Sequence, residues 1–433
     1  MRVHLKTLGC RLNEAELESW SRDFQRYGIQ PIKEPEQADL LVINTCAVTA
    51  EAVKKSRKLL RRAQRDNPAA KLILSGCYAS LNSEQIAADF GVDLIIPNTD
   101  KERLVDIAVA QLSLPTMPAA AIESNTFSLL GHNRQRAFIK VQDGCRYRCS
   151  YCIVTLARGE ERSKPVSEII NEIQQHQQQG IQEVVLAGVH LGGYGSDCDT
   201  NLKSLIEQVL AHTDMPRVRL GSLEPWDLPE DFWSLFSNPR LMPHLHLPMQ
   251  SGADSVLRRM SRRCRSQEFL DLATSARNQI ANFNITTDII VGFPGETEEE
   301  WQQTLEFVEA AGFGHVHIFS FSPRSGTKAA YLDNPISREL KRQRSEQLHE
   351  VALSLKQQFL TKQLGNTAKI LVEGKPEQIN NQSIYSGYTE NYTRVSFSSG
   401  ENVANKIIDV RLDNIEDELI IASSVSAEAP PLN

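Results

Sequence analysis

The stretch Asp143-Gly-Cys-Arg-Tyr-Arg-Cys-Ser-Tyr-Cys152 places three cysteines in eight residues, at spacing C-x3-C-x2-C. A structural zinc ion takes four protein ligands, and so does a fully protein-held iron–sulfur cube. A zinc reading of this run needs a fourth ligand, and the nearest preceding histidine is His132, thirteen residues before Cys145. Three structural cysteines are the plainest alternative. Three thiolates in one loop can instead hold three irons of a 4Fe–4S cluster and leave the fourth iron open, as catalytic zinc keeps a vacant position.

What surrounds the run decides the fold. It follows the first of six strand signals: Ala137–Val141, Glu183–Val189, Arg217–Leu223, His244–Pro248, Ile285–Val291 and His315–Phe321. Helical patterns lie between them at Val166–Gln179, Leu202–His212, Gln267–Ile280 and Glu298–Ala311, and a long polar helix over Ser337–Leu364 closes the series. Unbroken βα units predict a (βα)6 partial barrel over 133–364, with a flat Rossmann sheet as the alternative. In such a barrel the working residues belong at the carboxyl ends of the strands. Those ends carry Asp143-Gly-Cys145, Ala187-Gly-Val-His190, Ser222-Leu-Glu-Pro-Trp226, Pro248-Met-Gln-Ser-Gly252, Val291-Gly-Phe-Pro-Gly-Glu296 and Ser322-Pro-Arg-Ser-Gly326. Plain loop chemistry would produce any one of these.

Residues 1–115 carry short aliphatic runs at Val3–Leu8, Asp39–Asn44, Lys71–Ser75 and Asp93–Pro97, separated by helical patterns. Continuous apolar strands between helices indicate a parallel sheet buried on both faces, a doubly wound α/β domain. The first strand runs into Cys10, the second into Cys46 and the third into Cys77. Three cysteines at the carboxyl ends of parallel strands share the edge where open α/β folds bind ligands. Buried small apolar cysteines are the alternative. Residues 116–132, with Pro118 and several Ala and Ser, read as a linker, and 426–433 as a polar tail. From 365 to 425 short β-prone runs punctuated by Gly374, Gly387 and Gly400 predict a small β-barrel of a kind that often binds RNA, here by stacking on Tyr385, Tyr388 and Tyr392. A packing module without RNA is the other reading.

With 433 residues the chain holds roughly two to four domains. No apolar run reaches the roughly 18–20 residues of a membrane span, and the start lacks the h-region of a signal peptide. A cytoplasmic location is expected, where eight cysteines favour metal or redox chemistry over disulfides. Net charge is −7, yet Lys54–Arg65 has seven basic residues in twelve and Arg258–Arg265 has five in eight. Each run is either a nucleic-acid contact or a solvated helix face.

The C-x3-C-x2-C in the first βα loop resembles the signature of radical S-adenosylmethionine enzymes. The resemblance extends to the methylthiotransferase family through Gly9-Cys10-Arg-Leu-Asn13, Asn44-Thr-Cys46-Ala-Val-Thr49, Ser75-Gly-Cys77, Ala157-Arg-Gly-Glu-Glu-Arg-Ser163 and Val291–Glu296. It implies a 4Fe–4S cluster on Cys145, Cys149 and Cys152, whose open iron is chelated by S-adenosylmethionine and which generates a 5′-deoxyadenosyl radical. It implies a second, auxiliary 4Fe–4S cluster on Cys10, Cys46 and Cys77, and a TRAM-like C-terminal barrel. Candidate cofactor contacts are Gly188, Glu224, Gln250 and Gly292; Ala187 departs from the Thr that many relatives carry.

Family members methylthiolate isopentenyladenosine or threonylcarbamoyladenosine at position 37 of tRNA, or an aspartate of a ribosomal protein. Arg11, Lys55-Ser-Arg57 and Ser222–Asp227 resemble the threonylcarbamoyladenosine branch. The implied partners are the tRNA anticodon stem-loop, touched by Lys55, Arg57 and Arg61, and an electron-donor protein. Cys198 and Cys264 match no motif and are expected to be structural. A non-catalytic iron–sulfur RNA-binding protein is the competing class.

Overall fold

In the computed structural model the described residues are 1–116 and 135–425. The expected linker lies outside them except for its first residue, and so does the tail.

The N-terminal strands are β1 (Arg2–Thr7), β2 (Gln30–Ile32), β3 (Leu40–Thr45), β4 (Lys71–Gly76) and β5 (Leu94–Ile95). They form one sheet in the order β2-β1-β3-β4-β5, and every pair is parallel. Helices α1 (Arg11–Arg26), α2 (Ala50–Asp66), α3 (Cys77–Leu81), α4 (Ser83–Asp89) and α5 (Leu104–Gln111) follow the strands. On α1, Leu17, Trp20 and Phe24 recur at i, i+3 and i+7 and pack on Val3, Leu5, Leu40 and Val42. Each such buried side chain contributes about 1.5–3 kcal/mol. Gly28, at φ +74°, turns the chain out of α1. The short β2 escapes sequence reading because three residues carry no period. In contrast to α1, α2 buries only Ser56 and Leu60, so its basic face is left to solvent.

The central unit contains β6 (Arg136–Lys140), β7 (Gln142–Asp143), α6 (Val154–Arg158), β8 (Arg162–Ser163), α7 (Val166–Gln178), β9 (Glu183–Ala187), α8 (Leu202–His212) and β10 (Arg217–Leu220). It continues through β11 (His244–His246), α9 (Asp254–Arg259), α10 (Ser266–Gln279), β12 (Asn284–Val291), α11 (Glu298–Ala311), β13 (His315–Ser320) and α12 (Arg338–Thr361). Parallel sheets β10-β9-β6 and β11-β12-β13 meet through the isolated bridges Val218↔Leu241 and Ser222↔His246. Neighbours therefore follow chain order, which a doubly wound Rossmann sheet does not allow. Among the described residues no ladder joins β6 to β13, so the barrel is partial. Two-residue β7 pairs antiparallel with β8, which closes the three-cysteine loop into an excursion from the end of β6.

The C-terminal unit is a closed barrel, β14-β15-β16-β18-β17, built from β14 (Thr367–Ile379), β15 (Gln382–Thr389), β16 (Arg394–Ser398), β17 (Ile407–Glu416) and β18 (Leu419–Ser424). The β-prone runs at Ala368–Val372, Tyr392–Ser396, Ile407–Val410 and Leu419–Ile421 leave out β15, whose Ser and Gly lower its strand signal. Its register comes from the turn at Asn380 and Asn381, both at positive φ.

This barrel docks on the amino end of the central one. Arg217 donates to the Tyr388 and Lys369 carbonyls at 3.0 and 2.7 Å, Arg219 to the Glu390 carbonyl at 3.1 Å, and Asn284 to the Asn391 carbonyl at 2.9 Å. The expected stacking of Tyr385, Tyr388 and Tyr392 on RNA is corrected here. Tyr385 is 3% exposed and stacks on Phe397 inside the barrel. Tyr388 and Tyr392 stack on each other beneath Arg136 and Arg219, and Tyr392 also stacks on His244. The aromatic pair is consumed by domain packing.

Glu183, fully buried, anchors the arginines of this interface, with Arg219 Nη2 at 3.1 Å and Arg136 beside it. Burial alone would raise the Glu183 pKa, but Arg219 and then Arg136 overcome it and bring it to about 2. Arg219→Met should cost about 3 kcal/mol, because it removes one partner of a buried pair, read as a lower urea midpoint. The depressed pKa means this stabilisation is present above the unfolded carboxyl pKa of about 4.3 and lost as pH falls toward 2.

Candidate cluster and cofactor site

The loop of Cys145, Cys149 and Cys152 is held by its backbone. Gly144 sits at φ +76°, and a Cβ there would lie 1.9 Å from the Glu160 carbonyl oxygen, so only glycine fits. Cys145 N donates to Gly159 O at 3.1 Å, Cys152 N to Cys149 O at 3.0 Å, and Ser150 N to Met260 O at 2.9 Å. Burial pushes the Cys145 thiol up to about 12, with Cys152 and Cys149 adding to it, and Cys152 up to about 11, with Cys149 adding to it. A cationic centre relieves that repulsion.

The second triad assembles as its strand ends predict. Cys10 caps the start of α1, Cys46 follows β3, and Cys77 opens α3 after β4. These three strands are adjacent in the sheet. Gly9, at φ +115°, lies so near Cys46 that an added Cβ would be 2.9 Å from the Cys46 Cβ. Ser56 fixes Cys46 from α2, accepting from its N at 3.2 Å and donating to its O at 2.9 Å. Cys10 is exposed, whereas Cys46 and Cys77 are buried.

Both triads fit clusters better than single ions. Among the described residues, neither brings its three sulfurs all within 4.8 Å of one another. Thiolates on one tetrahedral zinc stand about 3.8 Å apart, given Zn–S of about 2.3 Å. His190 does approach Cys145, but its Nδ1 is engaged by Glu161 and its Nε2 by Asp227. It is not a free fourth ligand.

The segment Ala157–Arg158 ties one triad to the other. Arg158, 2% exposed, donates to Asp143 Oδ1 at 2.8 Å, Glu16 Oε1 at 3.1 Å and Asn13 Oδ1 at 2.8 Å. Asn13 Oδ1 also lies 3.6 Å from the Cys10 sulfur. Asn98 donates to Ala157 O at 2.6 Å and lies 3.8 Å from the Cys77 sulfur. Asp143 Oδ1 in turn accepts from Gly144 N at 2.9 Å, directly before Cys145. Burial opposes charge on Arg158, but Glu16 and Asp143, then Cys77 and Cys10, hold it protonated.

The expected cofactor contacts divide. Glu224 joins the triad, for it raises the Cys149 and Cys152 thiols by its charge and pairs with Arg262 Nη2 at 2.7 Å. Gln250, at φ +77°, bridges onto β12 through Asp288 O and Ile290 N at 2.8 and 2.9 Å. An added Cβ would meet Gln142 at Gly188 and the stem of Lys341 at Gly292.

Sequence reasoning missed Arg262. It lies in the Arg258–Arg265 run, yet its side chain is 1% exposed, donates to the Pro248 carbonyl and stacks over Trp226 at 4.4 Å. Arg259 pairs with Glu300 at 2.7 Å, and Arg263 lies over Tyr147 at 4.5 Å. Arg258, Arg263 and Arg265 stay exposed, so the solvated-face reading fails for the buried Arg262 and not for the run as a whole. Cys264 is buried in the barrel core and Cys198 is exposed. On α2, Arg57 and Arg61 join Lys54, Lys58, Arg62 and Arg65 along a groove of about 650 Å³. Lys55 is not part of it and lies 4.0 Å from Glu51.

Residues 2–97 match the Uncharacterized protein family UPF0004, and residues 139–308 match the Radical SAM superfamily. The chain is 37% identical to the threonylcarbamoyladenosine tRNA methylthiotransferase MtaB of Chlamydia pneumoniae, over 97% of each. It is 32% identical to the Bacillus subtilis protein of that name, over 95% of this chain and 93% of the relative. The chain belongs to the radical S-adenosylmethionine methylthiotransferase family. As a transferase of this family it works with S-adenosylmethionine and two 4Fe–4S clusters. The fold likeness includes the radical S-adenosylmethionine methyltransferase TsrM of Kitasatospora setae, at TM-score 0.59 and 14% identity, over 76% of this chain and 77% of that one. No helix of the described residues is long and apolar enough to cross a membrane.

Anaerobic reconstitution should give about eight irons per chain, four for each cube. Replacing Cys145, Cys149 and Cys152 together by Ala should leave about four, and so should replacing Cys10, Cys46 and Cys77. Iron and sulfide quantitation checks both; a chain that never exceeds about four irons refutes the two-cluster assignment.

Proposed function

We propose that this enzyme methylthiolates position 2 of N6-threonylcarbamoyladenosine at position 37 of tRNA. Cys145, Cys149 and Cys152 would hold the radical-generating cluster, and Cys10, Cys46 and Cys77 the auxiliary one. The observation that carries the reading is the pair of cysteine triads joined through Ala157 and Arg158. Four relatives, 32–37% identical over 86–97% of this chain, bear the threonylcarbamoyladenosine name, which supports the substrate.

When bound, the clusters and S-adenosylmethionine supply a one-electron route to a C–H bond that is not acidic enough for proton abstraction. The protein supplies position. Arg158, Asn13 and Asp143 fix the separation of the two cysteine loops. Arg262 and Glu224 set the charge beside Cys149. Tyr147, whose hydroxyl donates to Asp227 at 2.7 Å and whose ring lies 5.5 Å from that of Trp226, walls the loop on the barrel side. The groove on α2 follows directly from the Cys46 strand and would hold phosphates of the anticodon stem-loop. An electron-donor protein would have to reach the radical loop.

Mass spectrometry of tRNA nucleosides from cells lacking the gene tests the activity. Loss of methylthio-threonylcarbamoyladenosine is expected; loss of the methylthio-isopentenyl nucleoside instead would transfer the same chemistry to that substrate. Reversing the charge of Arg57 and Arg61 should weaken tRNA binding and flatten its log–log salt dependence by about 2 units. Reversal of Lys55 should do less, since it lies outside the groove. Binding isotherms at several salt concentrations check this, and an unchanged slope rules the groove out.

A further inference from the structure

Four of the ten histidines of the chain occupy two His-x-His pairs, His244/His246 on β11 and His315/His317 on β13. Residues two apart on a strand share a face. Here that face is the barrel lumen, because the alternate residues Leu245, Ile285, Ile289 and Val316 belong to the helix-covered core. Between the pairs runs β12, in register so that His246 is level with Thr286 and Asp288 with His317. Neither cysteine triad uses these residues.

We propose that His246, Asp288 and His317 form a divalent-metal site on the lumen wall. One ligand atom from each lies within 4.8 Å of the others, and His246 Nε2 stands 3.2 Å from Asp288 Oδ1. Ligands about 2.0–2.1 Å from a tetrahedral ion stand about 3.3 Å apart, so small rotations complete the set. The ring of His246 is already oriented, with its Nδ1 3.0 Å from Thr286 Oγ1, leaving Nε2 for the ion. The same hydroxyl lies 3.2 Å from His244 Nε2. Asp288 has no lysine or arginine partner among the described residues. Two nitrogens and a carboxylate with open positions suit zinc or ferrous iron rather than magnesium or calcium.

The three donors come from one wall, so the remaining coordination positions face the lumen and accept an oxygen ligand. A substrate carboxylate is such a ligand, and the threonylcarbamoyl group carries one. This last point rests on the substrate proposed above; the metal site does not.

The test is equilibrium dialysis of the cluster-loaded enzyme against zinc or cobalt, with metal and iron counted per chain. About one zinc per chain is expected in addition to the cluster iron, with cobalt showing the intense visible bands of a four- or five-coordinate nitrogen–oxygen site. His246→Gln and Asp288→Asn should each weaken cobalt binding at least about tenfold, with cluster iron unchanged as the control for folding. No zinc above background in the parent enzyme, or zinc retained by both variants, overturns the site. In a second arm, RNA bearing threonylcarbamoyladenosine should bind the zinc-loaded enzyme at least about tenfold more tightly than the zinc-free one. RNA bearing isopentenyladenosine, which has no carboxylate, should not respond. Equal responses overturn the carboxylate role and leave the metal site standing.

Discussion

The structure depends on one buried cation. The guanidinium of Arg158 lies between the α/β domain and the barrel, bonded to Asn13 and Glu16 on one side and to Asp143 on the other. Lys101 and Lys140 complete the cluster on Glu16 at 2.7 and 3.1 Å, and Lys140 also reaches Asp143 at 2.7 Å. Removing a charge from such a cluster strands the others in low dielectric at a cost of about 3–5 kcal/mol. The arrangement therefore tolerates one geometry. That geometry holds Cys10 and Cys77 in a set relation to Cys145.

The same constraint shapes the barrel lumen. Helix α1 carries Cys10 at its start and lays Ala15 against Phe138 and Val185, on the inner face of β6 and β9. Arg11 stacks over the Phe138 ring at 4.9 Å. Below, Arg136, Arg217 and Arg219 bind the C-terminal barrel through its carbonyls and through Tyr388 and Tyr392. A partial barrel needs such covers, because its unpaired edge and polar lumen would otherwise stand open to water. With one wall taken by α1 and the floor by the C-terminal barrel, which also covers His244, the side chains of His246, Asp288 and His317 on the β11–β13 wall keep some exposure.

Much of this was legible in residues that obey local rules. The period of the apolar runs gave the sheets, and C-x3-C-x2-C gave a loop that no four-ligand site explains. Strand-end position alone brought Cys10, Cys46 and Cys77 together, because parallel strands align their carboxyl ends. Where the reading failed, the side chains had partners distant in sequence. Tyr388 and Tyr392 look like exposed stacking platforms until Arg136 lies over both rings and Arg219 over that of Tyr392, from well over a hundred residues earlier in the chain. Arg262 looks like one member of a basic surface run until Glu224 and Pro248 draw it inward. β15 is too rich in Ser and Gly to announce itself and is registered by its neighbours.

The sequence by itself determined the chemistry available: two sets of three thiols, the glycines that let their loops turn, and the order of strands that sets their edges. Those properties are local, since ligand type, backbone permissiveness and hydrophobic period are carried by a few consecutive residues. Only the tertiary structure decided which charges are buried and what they face. Arg158, Arg262 and Glu183 are ordinary charged residues in a linear reading. Each acquires its role from partners tens to hundreds of residues away, because the free energy of a buried charge depends on every dipole and counter-charge around it.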